Sequence, residues 1–184
     1  MKEFGDAIES WTPNKTVDKT FEVLGIPKFE KIIVENDFQE KVYEQEFIRP
    51  DWDQIWMSCA LKLSERSVDP RLQVAALIVS GDNSRVLGFG YNGDHRGGSN
   101  KVDSLEPGQS GFIHAEENAL IKFDFSASCR KIMYITTSPC KQCAKKIINA
   151  FIDEVVYLNE YRDLSGVKLL EQQGIKVRKL IHPL

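Results

Sequence analysis

Apolar residues recur in this chain with two different periods, and each change of period marks an element. After Asp51, a residue suited to capping, Trp52, Ile55, Trp56, Cys59 and Leu63 follow at helical spacing, which predicts a helix running to about Arg66. Residues 73–80 and 85–92 are β-rich runs joined by the turn formers Gly81-Asp82-Asn83-Ser84, so an antiparallel hairpin is expected. Residues 93–111 are polar and rich in glycine, with Pro107 among them. They form a long loop, of a length usually functional or disordered in compact domains. It leads directly to His114. The pattern then predicts a helix over 115–123 and an apolar strand over 131–137. Next comes a helix opened by Ser138 as cap and Pro139 as first residue, with the stripe Ala144, Ile147, Ile148 and Phe151. A strand over 155–158, a helix over 164–173 ended by Gly174, and a strand over 175–180 complete the chain. Strand, helix, strand, helix, strand implies parallel pairing in this half, and near-continuous apolar strands imply a sheet covered on both faces.

Residues 1–49 carry no recognisable motif. Pro13, Gly25 and Pro27 divide the first part into short pieces. The later part is expected to be helical, because Asp37 and Glu40 form a capping pair and Phe38, Val42 and Tyr43 share a face. The segment is read as an N-terminal extension that packs on the rest or contacts another copy, ahead of a domain over 50–184.

Length and composition narrow the function. A chain of 184 residues holds one domain with a sizeable core, and 42% hydrophobic with 28% charged residues is ordinary for a globular protein. The apolar run 74–79 is too short to span a bilayer, and the N-terminus has no apolar signal region, so a cytoplasmic location without membrane attachment is expected. The formal net charge is −3 and no Lys/Arg block stands out, which points to a small ligand and away from long nucleic acid. Two of the four cysteines sit in a C-x-x-C, which in such a chain favours metal over disulfides.

The chemistry concentrates in two short segments, His114-Ala115-Glu116 and Pro139-Cys140-Lys141-Gln142-Cys143. The pattern H-x-E followed by P-C-x-x-C marks zinc deaminases acting on cytosine or adenine rings. His114, Cys140 and Cys143 supply three ligands, the number that a catalytic Zn2+ takes while keeping a fourth position open. Cys140 and Cys143, three residues apart, share one face of a first helical turn, where free N–H groups and the helix dipole favour thiolates. Two thiolates cancel the charge of the ion, so a bound water is activated weakly and a neighbouring base must help. Glu116 is the candidate catalytic base. Positions two apart on a helix diverge by about 200°, so His114 and Glu116 share a pocket only if the histidine sits where the helix begins. Glu117 is turned further away, towards solvent or a partner. A lone histidine is more often structural, and a lone C-x-x-C is a structural zinc half-site or a redox pair. Here both occur in order with Glu116, while Cys59, Cys129, His95 and His182 form no spaced pair that would close a structural site.

The stretch from Arg49 to His182 resembles the deoxycytidylate (dCMP) deaminase family of the cytidine deaminase superfamily. The segments that carry the resemblance are Arg49-Pro50-Asp51-Trp52-Asp53, Arg66-Ser67-Val68-Asp69-Pro70-Arg71-Leu72-Gln73-Val74, Gly90-Tyr91-Asn92-Gly93, His114 to Ala119, and Pro139 to Lys145. The resemblance implies an α/β fold with three layers, α/β/α, around a five-stranded mixed sheet. It implies hydrolytic loss of ammonia from cytosine, dCMP becoming dUMP, with Glu116 taking the water proton, protonating N3 and later delivering a proton to the leaving amine. It places Asn92 on the sugar hydroxyl, Arg71 near a 5′-phosphate, Ala115 and Ser138 against the substrate, and Tyr161 with Arg162 beside the base. Asn118 is expected to bond a neighbouring loop or the substrate, the structural role being preferred. A homo-oligomer is implied as well. The chain departs from the family where Gly-Tyr-Asn-Gly continues with Asp94-His95-Arg96 instead of a proline and then Gly-Cys, which puts allosteric control by nucleoside triphosphates in doubt. Competing readings are deamination of a cytidine- or dCTP-type nucleotide, tRNA or single-stranded DNA, and a silent zinc-binding module, which would have no need of Glu116.

Overall fold

The computed structural model describes residues 49–181, together with the backbone of residues 33–34 and 41–42. The chain divides into two units, residues 1–49 and 50–184. In the first, β1 (Ile33–Val34) pairs antiparallel with β2 (Lys41–Val42). The helix expected from Asp37 onward lies outside the described residues except at Lys41 and Val42. These two are extended, paired with Ile33 and Val34.

The second unit is built on a five-stranded sheet. Its elements in chain order are α1 (Trp52–Ser64), β3 (Ala75–Ser80), β4 (Val86–Tyr91), α2 (Ala115–Ile121), β5 (Lys131–Thr137), α3 (Lys141–Asn149), β6 (Glu154–Asn159), α4 (Ser165–Gln172) and β7 (Lys176–Lys179). The sheet order is β4-β3-β5-β6-β7. β3 is antiparallel to β4 and to β5, whereas β5, β6 and β7 run parallel, so the sheet is mixed.

Alternation along the central strands separates two cores. Ala76, Ile78, Met133, Ile135 and Val155 face α2, α3 and α4 with Ala119, Ala144, Ile147 and Leu170. Leu77, Val79, Ile132, Tyr134 and Val156 face α1 with Met57 and Ala60. A strand whose successive side chains are all buried needs cover on both faces. The result is the three-layer α/β/α arrangement.

The helix faces differ from the expected stripes. In α1 the capping box is present, with Gln54 N–H donating to Asp51 Oδ1 at 2.8 Å, but the buried positions are Met57, Ala60 and Ser64. Trp52 and Cys59 are exposed, and the helix ends at Ser64. Trp56 and Leu63 of the expected stripe pack at the edge of this core, while Met57 and Ala60 fill its centre. α3 starts later than expected. Cys140 is its cap, φ −70° and ψ 166°, so Ser138 and Pro139 lie outside it. Phe151 follows the helix at φ 55° and is 79% exposed, so it leaves the stripe that Ala144 and Ile147 keep.

Candidate active site and metal centre

The C-terminal ends of β5 and β6 and the start of α2 converge on one cleft, the location that open α/β sheets favour for ligands. His114 caps α2 in extended backbone, φ −69° and ψ 154°. It is held there because the preceding Ile113 exchanges two hydrogen bonds with Gly93, at 2.9 and 3.1 Å. Glu116 is then the second helical residue, turned inward and 4% exposed. α2 lies close on β4 because Gly90 faces it. A Cβ at Gly90 would stand 2.4 Å from the Ala119 nitrogen and 2.6 Å from the Ala115 oxygen. Gly166 of α4 does the same for the thiol segment, where a Cβ would meet the Pro139 oxygen at 2.1 Å.

Cys140 and Cys143 take the cap and third positions of α3, on one face of its first turn. Their sulfurs lie 3.6 and 3.3 Å from Nδ1 of His114, and all three donor atoms are within 4.8 Å of one another. Tetrahedral zinc with bonds of about 2.3 Å to sulfur and 2.0–2.1 Å to nitrogen separates such donors by about 3.6 Å. The residues present therefore fit the ion in kind, number and spacing. The thiols share a proton: the hydrogen bond from Cys143 holds the Cys140 thiol down at about 3 and the Cys143 thiol up. His114 is raised by its hydrogen bond to Cys140, against the effect of burial. Such a trio favours a dication.

Glu116 is pushed above the usual carboxylate range by burial, which outweighs the nearby histidine. Glu117, one residue on, points away and pairs with Lys146 at 2.5 Å. Adjacent glutamates on one helix thus have separate surroundings.

The cleft has a volume of about 230 Å³. His114, Glu116 and Cys140 line it together with Asn92, Ala115, Arg71, Ser138 and Tyr161, while Cys143 lies behind the wall. Asn92 is 7% exposed. Its Oδ1 accepts from the Val74 N–H at 2.8 Å, and its Nδ2 donates to the Leu72 carbonyl at 2.9 Å and to Asp69 at 3.3 Å. One lone pair of Oδ1 remains available. Ser138 accepts the Tyr161 N–H at 2.8 Å through its Oγ, the contact that occupies the hydroxyl expected to cap α3. Asn118 bonds the Tyr91 carbonyl at 2.9 Å, the neighbouring-segment contact expected of it.

Sequence reasoning missed Asp69 and Phe112. Asp69 is 7% exposed and accepts the Arg71 N–H at 2.9 Å as well as the Asn92 amide, so it organises this wall. Its position before Pro70 was the available signal. Phe112, also buried and lining the cleft, is the first bulky apolar residue after the polar loop.

Residues 50–159 match the family described as the cytidine and deoxycytidylate deaminase zinc-binding region. Deoxycytidylate deaminase of Homo sapiens is 34% identical over 147 residues, 71% of this chain and 80% of the relative. ComE operon protein 2 of Bacillus subtilis is 36% identical over 140 residues, 72% of each chain. Among solved structures, dCMP deaminase from the cyanophage S-TIM5 in complex with dCMP and dUMP is 33% identical with a TM-score of 0.63, covering 73% of this chain and all of that one. With three donors at zinc spacing and a buried glutamate that lines the same cleft, this chain belongs to the zinc-binding cytidine and deoxycytidylate deaminase family.

Proposed function

We propose that this protein removes the exocyclic amine of a cytosine deoxynucleotide by hydrolysis, converting dCMP to dUMP and ammonia. The observation that carries the reading is that the cleft lined by His114, Cys140, the buried Glu116 and the tethered Asn92 adjoins Cys143, whose sulfur completes the trio of donors. The solved relative that binds dCMP and dUMP supports it. Bound zinc supplies a Lewis acid that makes water a nucleophile near neutral pH.

The protein's own groups do the rest. Glu116 takes a proton from the attacking water and passes it to ring N3, then takes the proton of the hydroxyl added at C4 and delivers it to the departing amine, so that the C4–N bond breaks as the C4 carbonyl forms. Its raised proton affinity brings it closer to working pH, where a shuttle is most efficient. Asn92 accepts a sugar hydroxyl on its remaining lone pair. Its other contacts lock the amide, so no rotamer freedom is lost on binding. Ala115 presents a first-turn backbone N–H, which has no partner within a helix, to the base. Ser138 and Tyr161 form the facing wall, Arg71 approaches the 5′-phosphate, and guanidinium geometry suits that group.

Two wider readings belong with this one. Residues 50–184 form the deaminase domain, and residues 1–49 serve packing or contact between copies of a homo-oligomer, which sedimentation of the full chain against one lacking 1–49 would test. A cytoplasmic location agrees with four free cysteines, two of them paired for metal. No helix among the described residues is long and apolar enough to cross a membrane. Ammonia release from dCMP, CMP, deoxycytidine, dCTP and a cytosine-containing oligonucleotide decides the substrate. Preference for dCMP is expected, and reaction of the oligonucleotide alone would overturn the reading.

A further inference from the structure

The loop between β4 and α2 ends in a tip with few means of attachment. Asp103 N–H donates to the Ser110 carbonyl at 3.0 Å, and Gln109 N–H donates to the Glu106 carbonyl at 3.1 Å. These bonds close residues 103–110 on themselves. Positions 105–109 are all exposed, and Leu105, the apolar residue that could anchor the tip, is 68% exposed. A segment without buried apolar contacts opens at low free energy. The tip is tied to the rest by arginines. Arg71 Nη1 donates to the Leu105 and Glu106 carbonyls at 2.8 and 2.5 Å, and Arg162 Nη2 donates to the Pro107 carbonyl at 3.2 Å.

Arg71 precedes β3 and Arg162 follows β6, so the two tethers come from separate walls. Their acceptors are consecutive, within about 7 Å of backbone. Apart from His114, these two residues are also the only basic side chains among the described residues that line the cleft. A guanidinium has five N–H donors, and the tip carbonyls occupy only a few of them. A phosphate is the ligand group that attracts the remainder, because charge-assisted bonds are roughly twice as strong as those to neutral carbonyls.

We propose that the tip, residues 103–110, is a strap locked by the 5′-phosphate of a bound nucleoside monophosphate, with Arg71 and Arg162 holding phosphate and strap carbonyls together. This rests on the reading of the cleft as a nucleotide site. Arg162 is then a positioning residue that couples phosphate recognition to closure of the cleft. A nucleoside lacking the phosphate leaves the strap on its three hydrogen bonds.

Hydrogen exchange of the zinc-loaded full chain tests this, with the Asp103 and Gln109 amides as reporters. At saturation, dUMP should slow exchange over 103–110 by at least about fivefold, the lower end of typical coupling between sites, while deoxyuridine leaves it unchanged. Arg162→Gln and, independently, Arg71→Gln should each abolish the dUMP effect. In both, the loss in dCMP turnover should fall mainly on KM, and Arg162→Lys should restore part of it. Equal protection by dUMP and deoxyuridine, or full protection in Arg162→Gln, would overturn the strap. Turnover on the same sample separates the two readings: failure on every cytosine substrate removes the proposed function, whereas normal dCMP turnover without phosphate-dependent protection removes the strap alone.

Discussion

Two buried glutamates, at opposite ends of the sheet, have opposite electrostatic surroundings. Glu116 is 4% exposed in the cleft beyond the C-terminal ends of β5 and β6, and burial drives its proton affinity up. Glu154 is 2% exposed at the start of β6. Burial pushes it up too, but Arg178 at 2.6 Å and Lys176 at 3.3 Å outweigh that and hold it below its ordinary value. Arg130 joins the same carboxylate. Arg178 also reaches Asp53 of α1 at 2.6 Å, and Asp53 accepts from the Tyr134 hydroxyl at 2.7 Å. Surrounded by cations, Glu154 ties α1 to β6 and β7 and stays ionised. With the metal ligands as its charged neighbours, Glu116 is left able to exchange a proton. A buried carboxylate earns a functional reading when its neighbours leave the charge uncompensated.

The sharpest way to break this comparison is to neutralise each side chain. Glu116→Gln should retain zinc, measured by metal analysis, and keep its melting temperature, because an unfavourable buried charge is removed. Deamination should fall by about 10²–10⁴-fold or more, the range for loss of a positioned acid/base. Near-normal turnover would remove the assignment. Glu154→Ala should do the reverse. It strands partly solvated cations, so the cost belongs at the low end of the roughly 3–5 kcal/mol for breaking a buried ion pair, read from urea unfolding. Turnover per folded molecule should change little.

Acid sharpens the same contrast. Glu154 and Asp53 both have folded-state proton affinities below their ordinary values of 4.5 and 3.8, in Asp53 chiefly through Arg178. Their stabilising contribution is therefore complete above the ordinary values and is lost as pH falls through the lower folded ones. The unfolding midpoint should drop below about pH 4.5, and the drop should be shallower in Glu154→Gln. The smallest effect is expected at Glu117, whose partner Lys146 is exposed. Lys146→Ala should cost at most about 1 kcal/mol, and a loss as large as that from Glu154→Ala would show that burial is not what separates these pairs.

Much of the site was legible because its determinants are local. The i, i+3 cysteines and the i, i+2 histidine and glutamate specify their geometry within one helical turn each, and β5 was read at its full length from an unbroken apolar run. Errors arose where several residues could serve equally well. Ser138 had the chemistry of a cap, but the Tyr161 backbone engages its hydroxyl and Cys140 took the cap position. Trp52 and Cys59 fitted the period of α1, yet Met57 and Ala60 fitted the space above β3 and β5.

The two local pairs were present in the chain itself, since the i, i+3 cysteines and the i, i+2 histidine and glutamate lie within a helical turn, but only the fold brings His114 to Cys140 and Cys143, 26 and 29 positions away. The tertiary structure alone decided the charged surroundings of each buried glutamate and which arginines line the cleft. Arg178 reaches Glu154 and Asp53, which lie 24 and 125 positions away from it in sequence. Arg71 and Arg162 meet over three carbonyls contributed by a loop distant from both in sequence. Proton affinity and ligand charge depend on distances of a few ångströms, and those distances exist only after the sheet has brought remote segments together.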